Sequence, residues 1–365
     1  MKIALICPSN LLFMPYVYNY EVILRENNIQ YTIINWDRHQ IELEKKESVY
    51  RDYKQGHQRN FYDYLKFRTF VIKQLKVSHF DKVIIFGVQL SCFLGRYIMK
   101  EFKNNYLVDI RDHHRMIDFP GMKQIITSSA FTVISSPGYK KFLPEDGDYV
   151  INHNTLVESQ NQRKIFHNQI NKKKITIACI GALRDLPANT LFIGTLKNNP
   201  RFKLEYHGDG EINRDLQKYI SENEINNVTI TGRYTKEQEG ELYEKCDFVN
   251  VIHFYNGMND MTFLPNRLYN AAKFRRPLLV LAGNCLAEYI KKYRLGLVLE
   301  TIGQLEERLI NYIENFNQAE YESGVQHFLS DVISDNQIFK ARLLNFCGNN
   351  SHLGRDLGRL KLQIK

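Results

Sequence analysis

The chain has 365 residues, 44% of them apolar and 24% charged, which suits two soluble globular domains and excludes a disordered or fibrous protein. A formal charge of +9 and a pI near 9.0 favour anionic partners: nucleotide phosphates, an acidic membrane surface or nucleic acid. No apolar stretch reaches the length of a membrane-spanning helix. Cys7, Cys92, Cys179, Cys246, Cys285 and Cys347 are scattered, with no C-x-x-C and no histidine at ligand spacing. They read as buried free thiols, and no metal site is expected.

The opening MKIALICPSN has an apolar run too short for a secretory signal and behaves as a first strand, so a cytoplasmic protein is expected. Residues 2–7 form that strand, 15–27 a helix and 31–36 a second strand. Between Lys45 and Lys76 basic residues outnumber acidic ones, and Tyr50, Tyr53, Phe61, Tyr62, Tyr64, Phe67 and Phe70 are interleaved. Most of this should be helix. It is either a solvated basic face with its aromatics packed inward or a patch lying on an anionic membrane. Strands at 82–87, 106–111 and 131–136 alternate with helices at 89–102 and 122–128, and 149–154 is the last strand-like piece. The strands end in small or polar residues: Pro8-Ser9-Asn10, Gly87, Asp109 to Asp112, Ser135-Ser136. That is the layout of a parallel sheet whose strand ends line a cleft. A polar stretch without apolar periodicity, 158–173, links this first domain, 1–157, to a second.

The second domain, 174–346, restarts the alternation, with strands at 174–181, 202–208, 247–254, 278–281 and 296–299, a strand and turn at 228–234, and helices at 188–197, 211–223 and 236–245. Its organising stretch is 262–281. Pro265 suits a first helical turn, because its missing N–H would have no partner there. Leu268, Ala271 and Ala272 recur at helical spacing. Pro277 stops the helix, and 278–281 is the continuous apolar run of a strand covered on both faces. The helix therefore begins beside the carboxyl end of the preceding strand, where open α/β sheets bind ligands. Its free N–H groups, with Arg267 in the first turn, make a seat for phosphate. Residues 304–345 read as largely helical, and 347–365 as a tail. No G-x-G-x-x-G follows a first strand, and there is no P-loop, G-x-S-x-G or H-E-x-x-H, so dinucleotide, NTPase, hydrolase-elbow and zincin sites of standard form are excluded.

In their order and spacing these pieces resemble the GT-B glycosyltransferases, nearest to the family 4 type, especially those of bacterial capsule and exopolysaccharide synthesis. Gly181-Ala-Leu-Arg184 resembles the family's first C-terminal strand end with its basic residue facing the donor phosphates. His207-Gly208-Asp-Gly210 resembles its G-x-G turn. Thr231-Gly232-Arg233-Tyr234 resembles the turn facing the nucleotide base, and Leu242-Tyr243 with Cys246-Asp247 its "LY…aD" element. Leu264-Pro265-Asn266-Arg267-Leu-Tyr269 resembles the "PxKxxE" start of the donor helix. The resemblance implies an α/β GT-B fold, two doubly wound Rossmann-like domains facing a central cleft. It also implies a retaining transfer from a nucleotide-sugar, expected to be a UDP-sugar, to a saccharide or lipid-linked acceptor, with no bound metal or cofactor.

Under that resemblance Arg184 and Arg267 stabilise the leaving diphosphate, and Asp112 and His113 meet the acceptor hydroxyl. Gly181, Gly208, Gly210, Gly232, Arg233, Tyr234, Thr262, Leu264, Pro265, Asn266 and Asn270 hold the donor. One departure stands out: Thr262 and Asn270 occupy the places of the family's two glutamates. Asn270 offers a ribose hydroxyl an amide rather than a charged acceptor. Two alternatives stay open, a sugar-nucleotide 2-epimerase and a non-catalytic GT-B partner of a polysaccharide-synthesis complex. The basic stretch makes peripheral attachment to the inner face of the membrane an expectation. No nucleic-acid recognition module is present, and none is expected as a partner.

Overall fold

Apolar runs without polar alternation make strands that need cover on both faces, and this chain supplies helices for that purpose after most of its strands. The computed structural model describes residues 1–42, 48–155 and 173–348. It contains two units. One comprises the chain before the 156–172 segment together with the part from Ser334 onward, and the other runs to Ile333.

The first unit is built from β1 (Lys2–Cys7), α1 (Val17–Glu26), β2 (Gln30–Asp37), β3 (Val49–Arg51), α2 (Phe61–Ser78), β4 (Lys82–Phe86), α3 (Val88–Glu101), β5 (Tyr106–Ile110), α4 (Met122–Thr127), β6 (Thr132–Ile134) and β7 (Tyr149–Ile151). Its strands are all parallel, in the order β3-β2-β1-β4-β5-β6-β7. On one face Ile3, Leu5 and Cys7 pack against Val17, Tyr20 and Leu24 of α1.

The basic stretch is less helical than its composition implied. Val49–Arg51 is an edge strand, and the helix begins only at Phe61, where Asn60 and Asp63 form a reciprocal capping box. Between them the chain is held as a loop by Arg59, which pairs with Asp52 and donates to the carbonyls of Arg38, Lys54 and Gly56. Its aromatics divide: Tyr64 and Phe67 are buried, whereas Tyr53, Phe61 and Tyr62 are exposed. Lys45 and Lys46 lie outside the described residues.

The second unit contains β8 (Ile175–Ile180), α5 (Leu186–Leu196), β9 (Phe202–His207), α6 (Asn213–Glu222), β10 (Val228–Gly232), α7 (Glu239–Lys245), β11 (Phe248–Asn250), α8 (Met258–Thr262), α9 (Asn266–Lys273), β12 (Leu278–Leu281), α10 (Cys285–Tyr293), β13 (Gly296–Leu299), α11 (Leu305–Glu314) and α12 (Gln318–Phe346). The parallel order is β10-β9-β8-β11-β12-β13. Period-two alternation along β8 splits the core in two. Ile175, Ile177 and Cys179 face α5, α6 and α11, while Ala178 and Ile180 face Leu268, Ala271 and Ala272 of α9 and the apolar side of α10.

Three features depart from expectation. Strand β11 stops at Asn250 rather than 254, because the Asn250 side chain accepts from Ile252 N at 2.9 Å and turns the backbone out of the ladder. The following loop contains the short helix α8. Helix α12 belongs to the second unit only as far as Ile333; from Ser334 the chain returns to the first, where Phe339, Leu343 and Leu344 join the α1 face of the core. The sequence pattern had assigned these residues, to 346, to the second domain.

Candidate functional site

In each sheet the strand order reverses once, between β1 and β4 in the first unit and between β8 and β11 in the second. The crevice beyond the carboxyl ends of such a strand pair is where doubly wound sheets take ligands. In the second unit that place is a cavity of about 890 Å³. Its walls are the β8 end (Cys179 to Ala182, Arg184 and Asp185), the α5 start (Pro187, Asn189), the β11 end (Val251 to Phe254) and the α9 start (Pro265 to Arg267), with Tyr234, Tyr243 and Asn270.

Helix α9 opens with Pro265 at its N-cap and no side-chain cap, which leaves first-turn N–H groups facing this region. Arg267, half-buried in that turn, donates from Nη2 to the carbonyl of Ala182 at 2.8 Å and lies over the β8 end. Arg184, on the same loop, is exposed, and its guanidinium has no hydrogen bond or ion pair among the described residues. Two arginines and a helix start therefore share one cavity, the arrangement that stabilises negative charge. Acidic side chains are present too, but Asp260 accepts from Asn256 N, and Glu239 is paired with Lys236.

The sequence-picked donor residues separate into two groups. Gly181, Arg184, Tyr234, Pro265, Asn266, Arg267 and Asn270 line the cavity; Gly208, Gly210, Gly232, Arg233, Thr262 and Leu264 do not. A Cβ on Gly208 would stand 1.9 Å from the Gly181 carbonyl oxygen, and one on Gly210 equally close, 1.9 Å, to that of Leu183. These two glycines let the β9 turn lie on the backbone of the β8 loop, so they shape the site without facing it. Arg233 points outward and pairs with Asp209 at 2.9 Å. Thr262 is buried, its hydroxyl donating to the Met258 carbonyl one helical turn earlier, and Leu264 is core.

Asn270 is placed by Tyr243, with which it shares a hydrogen bond; burial pushes the Tyr243 hydroxyl well above its usual range, and the amide partly offsets this. Tyr243 is in turn fixed near the end of α7, whose Tyr243 and Glu244 carbonyls accept from the buried Arg276.

Asp185, Asn189 and His253 are among the cavity residues that sequence reading missed. Asp185 adopts a left-handed conformation, caps α5 through Ala188 N and also accepts from Phe254 N, tying the β8 and β11 loops together. Its signal was available, an Asp followed by Leu-Pro-Ala at a helix start. Asn189 and His253 gave none, since their significance depends on what surrounds them.

In the first unit, Asp112 is exposed after β5, and the His113 ring packs edge-on against Phe142 at 5.0 Å. The residue between them and the strand is the notable one. Arg111 is buried and all five of its N–H donors are used: two to Asp109, the others to the Asn152 carbonyl and to the side chains of Asn152 and Asn154. One D-x-D triplet, Asp146-Gly147-Asp148, escaped the sequence reading. Its carboxylates pair with Lys123 and Arg342.

No family model matches the sequence, and no curated protein matches it. Among solved structures it is similar to the lipopolysaccharide outer core galactosyltransferase WaaB, with 17% identity, a TM-score of 0.66 and coverage of 94% of this chain and 99% of that one. It is also similar to the sucrose-phosphate synthase of Thermosynechococcus elongatus (12%, 0.65, 99% and 100%) and to HepE of Anabaena in complex with UDP (13%, 0.61, 94% and 100%). The fold is that of the GT-B glycosyltransferases. At these identities the likeness carries the architecture of the two α/β units. Residue roles rest on the geometry above.

Proposed function

We propose that the chain is a glycosyltransferase that moves a sugar from a UDP-sugar to a saccharide or lipid-linked acceptor. The observation that carries this is the cavity at the β8/β11 reversal, where the start of α9, Arg267 and Arg184 converge. A sugar leaving a nucleotide diphosphate passes through an oxocarbenium-like state while charge grows on the phosphate. Preorganised cations and N–H groups aimed at that charge lower the barrier most. Arg267 and Arg184 take that role, Asn270 holds the ribose, and Tyr234 flanks the nucleotide. Asp112 and His113 serve the acceptor from the first unit. Retention of configuration, a family 4 assignment and a place in capsule or other cell-surface polysaccharide synthesis complete the proposal, with the nucleotide-sugar as substrate and no cofactor.

The test is a thermal-shift screen of nucleoside diphosphates followed by product analysis. UDP at about a hundred times its dissociation constant should stabilise the protein by about 2.7 kcal/mol. Release of UDP with glycosylation of an acceptor supports the transferase; a free epimerised sugar nucleotide supports the epimerase; binding without turnover supports a non-catalytic partner. No stabilisation by any nucleotide rejects all three.

The chain is further proposed to work in the cytoplasm, at the inner face of the membrane. Among the described residues no helix is long and apolar enough to cross a membrane. Phe61 and Tyr62 are exposed at the start of α2, and Lys66, Lys73 and Lys76 are exposed along it. Aromatics beside lysines suit an anionic interface, each charge adding about 1 kcal/mol near the surface. Sedimentation with anionic and neutral vesicles checks this: binding to the anionic ones only, weakened by salt, is expected. Equal binding to both, or none, removes the membrane proposal and leaves the enzyme proposal standing.

A further inference from the structure

Two buried acceptors line the second unit's cavity without a donor. Asn189, only 5% exposed, sits in the first turns of α5. Its amide nitrogen donates to the carbonyls of Arg184 at 2.8 Å and Asp185 at 2.9 Å. Carbonyls only accept, so the orientation of the amide is fixed and Oδ1 is the atom left over. That oxygen is buried and has no hydrogen-bond partner among the described residues. His253, just past β11, repeats the pattern. Its Nδ1 lies 3.0 Å from the Val251 carbonyl and must carry the proton, so the neutral ring presents a bare Nε2. Nε2 is likewise buried and unpartnered, and Tyr255 and Phe263 pack against the ring. Asp185 holds the two positions in one assembly, through Ala188 N on the Asn189 side and Phe254 N on the His253 side.

A buried acceptor without a donor costs free energy, and a ligand that supplies the donor relieves that cost. An ionised phosphate brings only acceptors, so it cannot serve Asn189 Oδ1, nor Nε2 of the neutral His253 ring. Hydroxyl groups fit. Within the donor proposed above, the diphosphate is served by Arg184 and Arg267 and the ribose by Asn270; of the remaining donors, the hydroxyls of the transferred sugar adjoin the diphosphate, whereas the uracil N–H lies beyond the ribose. We propose that Asn189 Oδ1 and His253 Nε2 accept hydrogen bonds from the sugar moiety of the donor and so determine which sugar is accepted. This rests on the nucleotide-sugar assignment of the cavity. The selectivity follows from the fixed roles: a sugar placing a hydrogen or an acceptor at either point leaves a buried lone pair unpaired, a penalty hydroxyl-reading sites use to reject analogues.

Isothermal titration of the full chain with UDP and with UDP-glucose, UDP-galactose and UDP-N-acetylglucosamine tests it. His253→Phe keeps a planar ring and removes the acceptor; His253→Gln returns an acceptor oxygen near the Nε2 position; Asn189→Leu is the independent second variant. For the best-bound UDP-sugar, His253→Phe and Asn189→Leu should each weaken binding about tenfold, the worth of one hydrogen bond, with UDP affinity unchanged. His253→Gln should recover most of the loss. Equal weakening of UDP and UDP-sugar would assign the pair to the nucleotide or to local folding and overturn the proposal, as would unchanged UDP-sugar binding in both variants. Wild-type protein that binds neither UDP nor any UDP-sugar would remove the nucleotide assignment itself, and this proposal with it.

Discussion

The two units carry the same topology and treat their strand ends in opposite ways. In the first, most polar groups at the β2 and β5 ends satisfy one another, although Nε of the buried Arg38 has no hydrogen-bond partner among the described residues. Asp109 is fully buried and takes both Arg111 and the Tyr20 hydroxyl, and Asn10 donates to the equally buried Asp37, which also pairs with Arg51. In the second, the β8 and β11 ends keep a cavity between them, with one arginine unpaired and two acceptors unpartnered among the described residues. The difference teaches that a doubly wound sheet offers a ligand crevice by topology, and side chains at its strand ends decide which polar groups are left for a guest.

The largest test of this contrast is Arg111→Ala. It leaves Asp109 buried without its countercharge and should cost about 3–5 kcal/mol in denaturant unfolding. A loss below about 1 kcal/mol would mean that the pair does not hold these strand ends. Arg267→Ala should do the reverse. Little changes in stability, because its partner is a backbone carbonyl at the cavity edge, but turnover should fall about a hundredfold. Arg184→Ala is expected to act in the same sense, and Arg267→Lys to recover part of the rate, since a point charge remains and the planar fork is lost. Full activity in both alanine variants would break the phosphate assignment.

Smaller effects sharpen the boundary of the cavity. Gly208→Ala drives a methyl group into the Gly181 carbonyl and should cost about 1–3 kcal/mol. Gly232→Ala meets no atom within 4 Å, although its φ is +74°, and should cost only the left-handed strain, about 1 kcal/mol. Thermal melts of the two separate a glycine required both by its neighbour and by its own backbone, at φ +136°, from one required by its backbone alone. Equal losses would remove that distinction.

On β9, beside the cavity, pairing resumes. The hydrogen bond from His207, with help from Lys203 and against burial, brings the Glu205 carboxyl from 4.5 down to about 2. A depressed carboxyl stabilises the fold above its ordinary value and loses that contribution as pH falls through the folded one. Glu205→Gln should therefore be less stable than wild type at pH 7, with the gap closing between about pH 4.5 and 2. A gap independent of pH would show that the carboxylate charge is not what matters.

The sequence reveals what local chemistry enforces. Continuous apolar runs expose the strands, and Pro265 with Arg267 exposes the start of α9, because proline and first-turn requirements are local. The His207-Gly-Asp-Gly210 motif misleads, since a glycine demanded by a neighbouring backbone looks the same in sequence as one demanded by a ligand. Asn250 ends β11 early through a bond to Ile252 N, a competition invisible to apolar counting. Asn189 and His253 are silent in sequence because an acceptor is orphaned only by its tertiary neighbours. The return of α12 to the first unit at Ser334 likewise depends on Phe339 and Leu343 meeting residues some three hundred positions earlier.

The most direct test is a crystal structure of the full chain with UDP. The diphosphate is expected against Gly181 to Arg184 and the first turn of α9, within reach of Arg267, with the ribose beside Asn270. A diphosphate bound instead at Pro8 to Asn10 and Gly87, at the β1/β4 reversal of the first unit, would contradict the account.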